Sequence, residues 1–181
     1  MDAFAVMGLP YDLEIDAARV RERMQALGKI HHPDAGGSAV AYQEIVEAAA
    51  ILSVPSRRLR HWAELHGWIR PAGVVDMDAA TGTMFAMVAT VVAAARQAAE
   101  AHDLAGSALG RALAERKKLQ VQQELADVLG RITRDLDSAA ADLRDLAAGT
   151  PEPRAVAALA DRFAYLTKWQ GEAREALARL V

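Results

Sequence analysis

Between residues 152 and 180 the sequence places Val156, Leu159, Phe163, Leu166, Gln170, Ala173, Leu177 and Leu180 at alternating steps of three and four. Only an α-helix brings such positions onto one face, and a seam of this length needs helical partners to cover it. A second seam precedes it, in Leu125, Leu129, Ile132, Leu136, Leu143 and Leu146, and Gly149-Thr-Pro-Glu-Pro153 provides a turn between the two. A third long helix is expected near 77–102. The economical solution is an antiparallel three-helix bundle over 77–181. No segment has the alternation of a strand, aromatic residues are 5% of the chain, and alanine dominates. The fold class expected is therefore all-α.

The first seventy residues break into four shorter helices. Asp2 to Met7 forms about one and a half turns ending at Gly8-Leu-Pro10. Asp16 is placed to cap a helix over 17–31, with Val20, Met24, Leu27 and His31 on one face. Ser38 is placed to cap a third helix through Leu52, whose inward stripe is Tyr42, Ile45, Ala48, Ala49 and Leu52. After Ser53-Val-Pro55, Ser56 is expected to open a fourth helix that ends at Gly67. Pro71-Ala-Gly73 marks the boundary, dividing the chain into 1–70, a linker over 71–76, and the bundle over 77–181.

Several function classes fall away. A net charge of −3 argues against nucleic acid as the main partner, since phosphate binding draws on a basic surplus. The chain has no cysteine, which excludes disulfides, thiolate catalysis and cysteine-ligated metal within it. His61, His66 and His102 have no second ligand at metal spacing, so no metal is assigned. No glycine-rich phosphate loop is present, no cofactor is expected, and no nucleophile–base pair suggests an enzyme. The opening residues lack a basic n-region. Residues 79–95 carry no charge, but the run is shorter than a span and only mildly apolar; a core helix in a cytoplasmic protein without membrane contact is the expectation.

The turn between the second and third helices carries the chemistry. Lys29-Ile-His-His-Pro-Asp-Ala-Gly-Gly-Ser38 stops a helix at a proline and presents His32, Pro33 and Asp34. Arg21, Gln25, Lys29 and His32 lie four, four and three residues apart, forming one solvent-facing stripe that leads into the turn. Two cations on that stripe read either as an ordinary solvated helix face or as ground for an acidic partner surface, and Asp34 offers a carboxylate that can pair with a cation.

An amphipathic helix, a His-Pro-Asp turn, a second amphipathic helix with Tyr42, Ile45 and Leu52, and a closing helix with Pro55 and Arg58 together resemble a J-domain, over about residues 2–67. The opening Asp2, Phe4, Gly8, Leu9, Pro10, Ile15 and Asp16 is similar to that of the HscB-type J-proteins of iron–sulfur cluster assembly. The layout agrees too, with a four-helix J-domain followed by a helical bundle. The sequence departs from the family after the turn, where Ala35-Gly36-Gly37 stands in place of a basic and an aromatic residue, and in the second helix at Met24, Gln25 and Ala26.

The resemblance implies docking on a DnaK/HscA-type chaperone ATPase through His32, Pro33 and Asp34, stimulation of its hydrolysis, and delivery of a client protein such as an iron–sulfur scaffold. The other reading keeps the J fold as an adaptor that assembles a different complex. Client binding would fall to the bundle, where Phe85, Val88 and Val92 make one apolar stripe and Met84, Met87 and Val91 a second. The second stripe is either covered by the J-domain or left for the client. Tyr165 and Trp169 sit at the rim of the last seam.

Overall fold

The computed structural model describes residues 1–69 and 79–180. The described residues are all-α: α1 (Ala3–Met7), α2 (Ala17–His31), a 3-10 turn (Pro33–Ala35), α3 (Ala39–Leu52), α4 (Pro55–Leu65), α5 (Ala79–Asp103), α6 (Ala108–Ala148) and α7 (Pro153–Ala178). They divide into two compact units, one of Met1–Val74 with Ala139–Phe163, the other of Val75–Ser138 with Ala164–Val181. The expected linker over 71–76 lies outside the described residues.

In the first unit, short polar side chains set where helices begin. The Asp2 carboxylate accepts from the amides of Phe4 (3.0 Å) and Ala5 (3.1 Å), Asp16 from Ala18 (2.8 Å), and Ser38 from Ala41 (3.4 Å). α4 corrects the expectation at Ser56. It begins at Pro55, whose fixed φ suits the first helical position and whose missing N–H is one of those a helix start leaves unbonded anyway.

The core of this unit includes Phe4, Met7, Val20, Ile45, Leu52, Leu59 and Trp62. One charged residue is buried among them: Arg58, 3% exposed, donates from Nε to the Leu13 carbonyl (2.9 Å) and from a terminal nitrogen to that of Leu52 (2.7 Å). Burial lowers its pKa, and Glu14 nearby pulls the other way. The guanidinium thus satisfies two carbonyls where the chain leaves regular structure.

Polar contacts also fasten the chain start. The Trp62 indole donates to the Tyr11 carbonyl (2.8 Å), the Tyr11 hydroxyl donates to Asp2, and the Ala3 amide donates to Nε2 of His61 (3.0 Å). Burial alone would raise the Asp2 pKa, but the Tyr11 hydroxyl, the Ala5 and Phe4 amides and nearby His61 bring it below the ordinary value.

The second unit is built on three helices. Arg131 on α6 reaches the sulfur of Met87 on α5 (3.8 Å), His102 near the end of α5 meets Glu115 near the start of α6 (3.6 Å), and the Gln122 amide of α6 donates to the Leu180 carbonyl (2.7 Å). Rising numbers on one helix pair with falling numbers on the next, so the packing is antiparallel. The core takes Val88, Val91, Ala95 and Ala98 from α5, Val121, Leu125, Val128 and Ile132 from α6, and Leu166, Trp169, Ala173, Ala176 and Leu180 from the last segment.

Trp169 therefore occupies the seam position expected for Gln170, which is half-buried beside it. α5 is long and apolar enough to cross a membrane by length and composition, but its Val88, Val91, Ala95 and Ala98 are packed into this core.

Candidate functional site: the His-Pro-Asp turn

α2 ends because Pro33 cannot extend it: His32, its C-cap, is in extended conformation, and its own amide makes the last helical bond, to Gly28 (2.9 Å). Pro33 then opens the 3-10 turn, which closes with the Gly36 amide on the Pro33 carbonyl (3.0 Å). Gly36 has φ +81, a left-handed conformation that favours glycine. The next amide, of Gly37, returns to the His32 carbonyl (3.0 Å).

The His32 ring faces forward into the turn rather than back along α2. Its Nδ1 accepts from the Asp34 amide (3.2 Å), so the imidazole caps the 3-10 turn and a neutral ring carries its proton on Nε2. The ring also stands edge-on to Tyr42 of α3, with centroids 4.9 Å apart at 73°. Nδ1 is 3.6 Å from the Asp34 carboxylate, whose side chain is 91% exposed against 43% for His32. That separation is too long for a hydrogen bond. The turn thus presents a carboxylate, a proline ring and one imidazole edge to solvent.

Arg21, Gln25 and Lys29 are exposed on α2, and Pro33 is exposed on the turn. His31 is half-buried, as expected. The stripe and the turn together make a cationic helix face ending in a single anionic carboxylate, an arrangement suited to a partner with acidic ground and one cation. No group of three or more His, Cys, Asp or Glu among the described residues forms a metal cluster.

The expected client stripe is corrected in part. Val91 is 5% exposed and belongs to the core of the second unit, while Met84 and Met87 are partly buried against that core. Residues 88 and 91 are three apart and lie on one helix face, so the buried band draws on both stripes and neither packs as a whole. Phe85 is the large side chain left out, 53% exposed, with its ring 6.1 Å from that of Trp169. Trp169 in turn stacks on the half-buried Tyr165 at 5.7 Å.

Comparison with solved structures agrees with this arrangement. The chaperone HscB from Vibrio cholerae superposes with a TM-score of 0.67 at 19% identity, over 100% of both chains. The chain has the HscB fold. Human co-chaperone HscB is also matched, at a TM-score of 0.49 and 18% identity, over 97% of this chain and 81% of that one. No protein-family model and no curated protein sequence matches.

Proposed function

We propose that this chain is a J-protein co-chaperone that docks on a DnaK/HscA-type chaperone ATPase and stimulates its ATP hydrolysis. The observation that carries the reading is the His32-Pro33-Asp34 turn, presented to solvent at the end of a cationic helix face within a fold shared along its whole length with a chaperone. Asp34 pairs with a cation on the ATPase, Arg21 and Lys29 meet its acidic ground, and Gln25 lies between them. The chain's own residues perform no catalysis and hold no cofactor; the reaction belongs to the partner.

The helical bundle takes the client, an iron–sulfur scaffold protein in a cytoplasmic setting. The client face is centred on Phe85, with Met84 and Met87 beside it, in place of Val91. An exposed aromatic ring flanked by two flexible thioethers offers adaptable apolar contact. The domain division proposed is a J-domain over 1–70 and a client-binding bundle over 77–181.

Docking is tested by binding to a purified DnaK-type ATPase. Arg21→Glu and Lys29→Glu each weaken binding, the double change weakens it more than either, and the losses shrink at high salt as screening removes the same contribution. Binding indifferent to both changes and to salt overturns the assigned face.

A further inference from the structure

Three observations converge on the backbone behind the His-Pro-Asp turn. A Cβ placed on Gly37 would come within 2.3 Å of the carbonyl carbon, 2.4 Å of the carbonyl oxygen and 2.6 Å of the Cα of His31. These are backbone atoms, which cannot swing aside as the end of a side chain can. Gly37 is therefore folded directly onto the last residue of α2, and its amide is bonded to the His32 carbonyl (3.0 Å). From the other side, the Tyr42 ring meets the edge of the His32 imidazole at 4.9 Å. A Cβ on Gly28 would also sit in ordinary contact with that ring, at 3.7 Å from its Cε2.

We infer that Gly37 and Tyr42 are positioning residues that hold the turn preformed for docking. Gly37 lets the chain close tightly enough behind the turn for its amide to reach His32, and Tyr42 fixes the plane in which the imidazole is held. The Gly36 and Gly37 amides, bonded to the Pro33 and His32 carbonyls, close the turn on itself through backbone alone. A preformed turn raises apparent affinity because only the docking-competent fraction binds. This inference rests on the proposed docking of the turn.

The test titrates the full-length chain against a purified DnaK-type ATPase. It reads the concentration for half-maximal stimulation and the stimulation at saturation separately. Tyr42→Leu keeps apolar volume but removes the ring; Tyr42→Phe keeps the ring. If Gly37→Ala or Tyr42→Leu lowers the competent fraction to about a tenth, half-maximal stimulation needs about tenfold more protein, with saturation unchanged. Tyr42→Phe behaves as the parent. In NMR spectra the His32 ring signals shift in Tyr42→Leu and stay in place in Tyr42→Phe.

His32→Gln separates the two levels. If it stimulates normally, the docking assignment has failed, and this inference with it. If it is inactive while Gly37→Ala and Tyr42→Leu match the parent in half-maximal concentration, docking stands and the positioning roles are overturned. Should Gly37→Ala fail to fold, the Leu–Phe contrast at Tyr42 still decides.

Discussion

Arg60 and Asp161, 101 residues apart in sequence, form an ion pair at 2.5 Å within the first unit. The pair ties α4 to α7 inside one compact unit, and Arg162 and Asp142 make a second link at 2.6 Å between α7 and α6 in that same unit. Neither side chain of the first pair is fully exposed, so its contribution belongs near the upper end for surface pairs, about 1 kcal/mol. A double-mutant cycle with Arg60→Ala and Asp161→Ala, read by urea unfolding, is expected to give a coupling of that size. Strictly additive losses would remove the pair as a fastening.

Arg58 makes the stronger prediction. Arg58→Ala leaves the carbonyls of Leu13 and Leu52 buried without this donor and costs about 3 kcal/mol, on the scale of unsatisfied buried groups. Arg58→Lys recovers only part of it, because an ammonium lacks the planar fork that reaches two acceptors. Equilibrium unfolding checks both, and a loss below 1 kcal/mol for Arg58→Ala would show that the guanidinium is not needed there.

The helical core separates Val91 from Phe85. Val91→Ala truncates a packed side chain and is expected to cost about 2 kcal/mol, with a matching fall in melting temperature. Phe85→Ala is expected to change stability little, within about 0.5 kcal/mol, while weakening capture of an iron–sulfur scaffold client. A large drop in melting temperature for Phe85→Ala would make that ring part of the core and remove it from the client face.

Acid acts at the chain start. Asp2 has its folded pKa lowered, so its contribution is present above the unfolded value, ordinarily 3.8, and is lost as pH falls through the folded value below it. Asp2→Ala is expected to cost about 1 kcal/mol at neutral pH, as for other helix caps. The gap between parent and variant closes as pH drops below 3.8. Urea unfolding over a pH series measures the gap; a gap that persists unchanged in acid would mean the carboxylate charge plays no part.

Much of this was legible in sequence because it is local. Asp16 and Ser38 cap the helices they precede, since a cap bonds to amides two or three residues away. Pro33 dictated the end of α2 for the same reason. What escaped depends on contacts distant in sequence. Periodicity alone shows that 84–95 has two apolar stripes but not which band its neighbours will cover, and the buried band took Val88 from one and Val91 from the other. Trp169 takes the seam in place of Gln170, because periodicity alone does not decide between two adjacent positions at the edge of a seam. Tyr42 was visible as an inward residue, but its contact with His32 exists only once α3 folds back beside α2. Arg58 carries no sequence mark of burial; its two acceptors lie 45 and 6 residues away.

The co-chaperone reading meets its most direct test in the steady-state ATP hydrolysis of a DnaK-type chaperone, measured with the parent chain and with His32→Gln. The parent is expected to accelerate hydrolysis and the variant to leave it at the unstimulated rate, with helicity and melting temperature the same in both. Normal stimulation by a folded His32→Gln variant would contradict docking through the turn.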